Sequence, residues 1–174
     1  MNDLEKRCQQ IQMILSDVDG VLTDSGIYYS NSLEEIKRFD AQDGFGIRLW
    51  QMAGYQFGII TGRSSNIVKY RGDELNLSII RQGVRDKWDC VSKIAETFGL
   101  RAAEICFVGD DFPDLPVIKR VGLGATVPGS PKEVVEAAHW ISTRKGGFGA
   151  VRELIETILK AQNRWNAVIQ NYMS

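Results

Sequence analysis

Asp17 and Asp19 stand one residue apart where an apolar run ends, in the stretch Ser16-Asp17-Val18-Asp19-Gly20-Val21-Leu22-Thr23-Asp24. Carboxylates beside buried apolar chain are costly unless a cation neutralises them. Mg2+ suits the pair, because this hard ion is typically held by one or two carboxylates together with a substrate's phosphate. Two acids at a strand end also serve as simple turn formers, so the pair alone does not decide the chemistry. Three further stretches add to it. Gly58-Ile59-Ile60-Thr61-Gly62-Arg63 ends in a hydroxyl followed by glycine, a combination that holds phosphate oxygens through side chain and backbone. Gln82-Gly83-Val84-Arg85-Asp86-Lys87 puts a lysine at the start of a helix, where the helix dipole disfavours a cation unless an anion is near. Residues 105–109 form another apolar run, and it leads into Asp110-Asp111 with Asp114 three residues on. One of these acids suits an N-cap for a helix over residues 115–120, but capping does not account for all three.

Such groups cooperate only if the fold gathers them at one edge. Apolar runs at residues 11–17, 55–61, 79–82, 105–109, 123–126 and 140–141 read as strands, with amphipathic stretches between them. Residues 43–53 and 86–98 end at Gly54 and Gly99, which suit helix stops. A last helix begins near Gly149, with Val151, Leu154, Ile155, Ile158 and Leu159 at helical spacing. The alternation implies an α/β, doubly wound (Rossmann-like) parallel sheet with helices on both faces. Ligands of such sheets sit at the carboxyl ends of the strands, where all four stretches fall.

One segment breaks the alternation. Ile27-Tyr28-Tyr29 and Ile36-Lys37-Arg38-Phe39 flank a polar turn over residues 30–35, a β-hairpin pattern inserted after the first strand. An exposed apolar hairpin invites aggregation unless it is covered, so an oligomer contact is expected; a plain extension of the sheet edge is the alternative.

The 174 residues are read as a single domain over 1–174, with the hairpin at about 25–40 and a C-terminal helix and tail at about 149–174. Apolar content of 44%, charged content of 25% and net charge −1 describe an ordinary globular chain and argue against a general nucleic-acid binder. Cys8, Cys90 and Cys106 form neither a disulfide framework nor a zinc pattern, and read as free thiols in a reducing compartment. The stretch MNDLEKRCQQ is polar, and no run reaches the roughly 18 apolar residues of a membrane span. A cytoplasmic enzyme without a membrane partner is expected. His139 reads as structural, and Trp88, Trp140 and Trp165 as packing or interface residues.

The ordered set DxDGVLTD, ITGR, a helix-start lysine and VGDD resembles the haloacid dehalogenase superfamily of phosphatases over roughly residues 11–127. The resemblance implies that Asp17 is the nucleophile and a Mg2+ ligand. It implies that Asp19 is the general acid/base and binds the metal through its carbonyl. Asp110 matches the remaining metal ligand with Asp111 in support, and Thr61 and Lys87 match the phosphate-binding pair. No cap domain fits between these motifs. DVDGVLTDSGIYY, KRFDAQDGFGI, ITGRSSNIVKYR, VGDDFPDLPVIKRVGL and RKGGFGAVRE are together similar to the small capless family that contains 3-deoxy-D-manno-octulosonate 8-phosphate phosphatase. That similarity implies hydrolysis of a phosphorylated ulosonic acid through an aspartyl-phosphate. It also implies a homotetramer whose hairpins pack together, with active sites shared between subunits, and a mobile C-terminal tail after the Lys145–Gly149 loop.

Arg63 matches the octulosonate branch, whereas Glu74 departs from the small or neutral residue expected there. Arg63 and Arg71 are candidates for gripping the substrate carboxylate, because guanidinium forks suit carboxylates; they also read as exposed helix charges. Gly62 and Asp43 complete the expected substrate contacts. A phosphatase of a nine-carbon, sialic-acid-type 9-phosphate is the neighbouring alternative. A phosphoacceptor receiver module would need its acidic pair and acceptor aspartate in another order. A non-catalytic sugar-acid scaffold is disfavoured because every expected catalytic position is filled.

Overall fold

The computed structural model describes residues 2–173. Along the chain run α1 (Asp3–Gln10), β1 (Met13–Ser16), β2 (Tyr28–Tyr29), β3 (Glu35–Ile36), α2 (Ala41–Met52), β4 (Gln56–Ile60), α3 (Asn66–Glu74), β5 (Ile79–Arg81) and α4 (Lys87–Phe98). There follow β6 (Ile105–Val108), α5 (Leu115–Ile118), β7 (Leu123–Thr126), α6 (Lys132–Ala137), β8 (Trp140–Ile141), α7 (Ala150–Ala161) and α8 (Trp165–Ile169). Six strands form one parallel sheet in the order β5-β4-β1-β6-β7-β8. The chain winds outward from β1 in both directions, so β1 and β6 flank the crevice where such sheets hold ligands.

Side-chain alternation explains why helices cover both faces. Ile14, Phe57, Ile59, Cys106 and Val108 pack on one side with Trp50, Leu154, Ile155 and Ile158 of α2 and α7. Met13, Leu15, Ile60, Ile105 and Phe107 pack on the other with Val91, Ile94, Val117 and Val134 of α4, α5 and α6. The strands are therefore largely apolar, and the polar groups of the site appear where they end. Only the hairpin separates β1 from α2, and α3, β5 and α4 fill the stretch between β4 and β6, so the described residues contain no cap domain.

The hairpin is a two-stranded sheet of its own, pairing Tyr28 with Ile36 and Tyr29 with Glu35, rather than an extension of the main sheet. Ile27, Tyr28, Tyr29 and Ile36 are 46–60% exposed. His139 is structural: its Nδ1 accepts the Gly124 N–H at 2.9 Å and its own N–H donates to the Gly124 carbonyl.

One region differs from the sequence expectation. The polar N-terminus forms α1, closed by a capping box in which Asn2 and Glu5 satisfy each other's backbone N–H. Cys8 is its one buried residue, too little for an apolar period to reveal. At the C-terminus the chain continues past α7 as α8 and a further turn, and Tyr172 meets Phe45 of α2 edge-on at 5.4 Å.

Candidate active site

The strand ends bring together Asp17, Asp110, Asp114 and Lys87. One carboxylate oxygen from each of the three acids lies within 4.8 Å of the others. Lys87, the first residue of α4, places Nζ 3.0 Å from Asp17 Oδ2 and 2.6 Å from Asp114 Oδ1. These partners account for a cation at the unfavourable end of a helix. Burial works to lower the Lys87 pKa, but Asp114 and Asp17 outweigh it and the pKa is raised. Burial, with Asp114 beside it, pushes Asp17 up to about 6 against the pull of Lys87. Burial and the charges of Asp17 and Asp114 push Asp110 up to about 7. Among the described residues Lys87 is the one cation paired with these acids. Three oxygen donors with such a deficit of positive charge fit a hard divalent cation.

Asp114, rather than Asp111, is the acid that the chain turns toward Lys87. Asp111 is exposed and caps the short turn over Phe112–Asp114 by accepting from the Phe112 N–H. That turn swings Asp114 inward, where it is buried and its Oδ2 accepts the N–H groups of Asp110 and Asp111 at 3.0 and 3.3 Å.

Asp19 lies on the hairpin side of the site. Its Oδ1 accepts a hydrogen bond from Lys37 Nζ, and its Oδ2 stands 3.8 Å from Arg63 Nε. Arg63 also bonds Glu35 of the hairpin at 2.9 Å. Thr61 is buried at the end of β4, with its N–H on the Arg81 carbonyl. At neighbouring Gly62 a Cβ would meet nothing nearer than the Val84 carbonyl oxygen at 3.6 Å.

Two expected substrate contacts are not brought here. Arg71 on α3 donates to Glu74 at 2.6 Å and lies over the Phe39 ring, on a groove with Ala41, Gly44, Phe45, Arg48 and Leu75. This pairing also gives the unexpected Glu74 a structural use. Asp43 is fully buried, and its oxygens accept the N–H groups of Gly149 and Arg152, capping α7.

Gly20, with φ +88°, makes the turn after β1; a Cβ there would lie 2.0 Å from Asp110 Oδ2, so glycine lets the two loops close on each other. The Gly146-Gly147 loop seals this turn from behind, with the Gly147 N–H on the Val21 carbonyl at 2.8 Å. A cavity of about 180 Å³ beside Asp110 is bounded by Gly20, Ser130, Lys145 and Phe148. Larger cavities, 390 Å³ beside α4 and 430 Å³ between α1 and α7, hold none of Asp17, Asp110, Asp114 and Thr61, and so lack the site's chemistry.

A family model for haloacid dehalogenase-like hydrolases matches residues 66–155. The chain belongs to this family. It is 35% identical over 163 residues to the 3-deoxy-D-manno-octulosonate 8-phosphate phosphatase KdsC of Yersinia pestis, covering 94% of this chain and 87% of that one. It is also 35% identical to KdsC of Escherichia coli K12 over 162 residues, covering 93% and 86%. The crystal structure of the Moraxella catarrhalis 3-deoxy-D-manno-octulosonate 8-phosphate phosphatase, in complex with magnesium ion, phosphate ion and KDO, superposes with a TM-score of 0.96 at 38% identity, covering 99% of both chains. The chain is accordingly a phosphatase, a phosphoric monoester hydrolase. No helix among the described residues is long and apolar enough to cross a membrane.

Proposed function

We propose that this chain is a Mg2+-dependent phosphatase of a phosphorylated ulosonic sugar acid, foremost 3-deoxy-D-manno-octulosonate 8-phosphate, acting through an aspartyl-phosphate. The observation that carries the reading is the convergence of Asp17, Asp110 and Asp114 with Lys87 at the β1/β6 crevice. Relatives that cover nearly the whole chain and carry that activity in their names support the substrate.

Asp17, the Asp19 carbonyl and Asp110 would hold the ion, with Asp114 behind them. Bound Mg2+ would supply the positive charge that offsets these acids and the phosphoryl group and keeps Asp17 ionised. An Asp17 carboxylate oxygen attacks phosphorus, and the bond from phosphorus to the sugar oxygen breaks with its electron pair on that oxygen. Asp19 gives its proton to the departing oxygen, and the sugar acid leaves. Asp19, now ionised, takes a proton from water as the water oxygen attacks phosphorus. The Asp17–phosphorus bond then breaks, restoring the carboxylate and releasing inorganic phosphate. Lys87, the Thr61 hydroxyl and the Gly62 N–H steady the three equatorial oxygens throughout. No protein atom demands glycine at position 62, whereas a close-bound phosphate would.

With no cap, the sugar side stays open in a single chain. A homotetramer that buries Ile27, Tyr28, Tyr29 and Ile36 of the hairpin would close it with a neighbouring subunit. Arg63, beside Asp19, is then the candidate for the substrate carboxylate.

Phosphate release from a panel of eight- and nine-carbon ulosonic acid phosphates tests the reading, with Mg2+ and with chelator. The 8-phosphate is expected to give the highest kcat/KM, and chelator to abolish turnover. Preference for a 9-phosphate would reassign the substrate, and full activity in chelator would remove the metal from the mechanism.

A further inference from the structure

The Lys37 side chain is 1% exposed, although it lies on the otherwise solvated hairpin just past β3. Taking an ammonium out of water costs several kcal/mol and persists only where carboxylates compensate. Here they are Asp19, which Lys37 Nζ hydrogen-bonds, and Glu35 at 3.4 Å. Glu35 is itself pinned by Arg63 Nη2 at 2.9 Å and the Ser65 hydroxyl at 2.5 Å. The ammonium is thus fixed from two loops, and no step of phosphoryl transfer described above employs it.

We infer that Lys37 is the positioning residue of Asp19, selecting which carboxylate oxygen carries the proton. The inference rests on the reading of Asp19 as general acid/base. A lysine ammonium has only donors, so an oxygen engaged by it cannot also present a proton along that bond. Lys37 therefore reserves Asp19 Oδ1 as an acceptor and leaves the proton on Oδ2. Arg63, at 3.8 Å, is too distant to hold Oδ2 in the same way. The proton passes from Oδ2 to the sugar oxygen as its bond to phosphorus breaks, and returns to Oδ2 from the attacking water. Without Lys37 the carboxyl is free to rotate, and either oxygen takes the proton.

The test compares kcat/KM on two substrates, because this constant covers the steps up to phosphoryl transfer. p-Nitrophenyl phosphate releases a stable phenolate and needs little proton donation. 3-Deoxy-D-manno-octulosonate 8-phosphate releases an alkoxide and needs it fully. Lys37→Met is expected to lower kcat/KM about 10- to 100-fold on the sugar phosphate, part of the ~10²–10⁴ that general acid catalysis supplies, and far less on p-nitrophenyl phosphate. Asp19→Asn, run in parallel, is expected to show the same selectivity more strongly. Thermal melts check folding, and Lys37→Gln, whose amide can turn either its NH2 or its oxygen toward Asp19 and so no longer reserves Oδ1 as an acceptor, replaces the Met variant if that fails to fold and is expected to show the same selective loss. Equal losses on both substrates, or none on the sugar phosphate, would overturn the inference while leaving Asp19 its role. An Asp19→Asn variant without selectivity would overturn both.

Discussion

Replacing Asp43 by Asn separates a structural carboxylate from a substrate-binding one, and pH is the lever. The Asp43 oxygens accept the Arg152 N–H at 2.8 Å and the Gly149 N–H at 3.2 Å, at the N-terminus of the helix that packs along α2. Burial, against the pull of the Arg152 N–H, raises its pKa from the usual 3.8 to about 6. A carboxyl whose folded-state pKa is raised adds stability fully present below the unfolded value, and that stability is lost as pH climbs through about 6. At about 1.4 kcal/mol per unit, parent protein loses roughly 2 kcal/mol through this one group between pH 4 and pH 8. Asn is uncharged and escapes that loss. Its cost is the second acceptor, roughly 1–3 kcal/mol at every pH.

Asp43→Asn is therefore expected to be clearly less stable than parent at pH 4 and to draw level with it or pass it by pH 8. The gap moves by roughly 2 kcal/mol, or about 4–8 °C in Tm for a chain of this size. Urea denaturation of both proteins at pH 4, 5, 6, 7 and 8 measures it, with kcat/KM on the sugar phosphate measured at 25 °C. A gap that stays constant across this range would refute the linkage reasoning. A large fall in kcat/KM without a stability change would return Asp43 to the substrate contacts.

Three other outcomes are expected. Asp17→Asn removes the proposed nucleophile at nearly constant shape and should cut turnover by at least about 10³-fold with the circular dichroism unchanged; activity within a few-fold of parent would sink the covalent route. Lys87→Met leaves Asp17 and Asp114 buried without their partner, which costs about 3–5 kcal/mol, and a calorimetric Tm within about 3 °C of parent would contradict the pairing. Sedimentation at micromolar concentration should show a tetramer that Ile36→Asp dissociates, with kcat/KM falling alongside; a fully active monomer would be incompatible with sites closed by neighbours.

What the sequence revealed and what it hid divides by how far each residue reaches for its partner. Asp17, Thr61, Lys87 and Asp110 each follow an apolar run or open a helix, so local pattern alone sets them at the sheet's carboxyl edge. Asp111 and Asp114 had equal local claims. The short turn over Phe112–Asp114 decided between them, spending Asp111 on a cap and turning Asp114 toward Lys87, 27 residues away. The spacing of two acids three apart around Pro113 was the available signal, because it suits a capping box whose second member faces inward. The partner of Asp43 was hidden for a similar reason. Asp40 caps α2 through the N–H groups of Gln42 and Asp43, which leaves the Asp43 carboxylate for a helix 106 residues further on. Lys37 and Glu35 were hidden because strands of two residues show no alternation from which to infer a buried face. A strand end can be found from a few neighbouring residues, whereas a buried charge is defined by its partner. In this chain the partners of Asp114, Asp43 and Lys37 all lie in other elements, so the groups that orient the site emerge only once the loops are placed together.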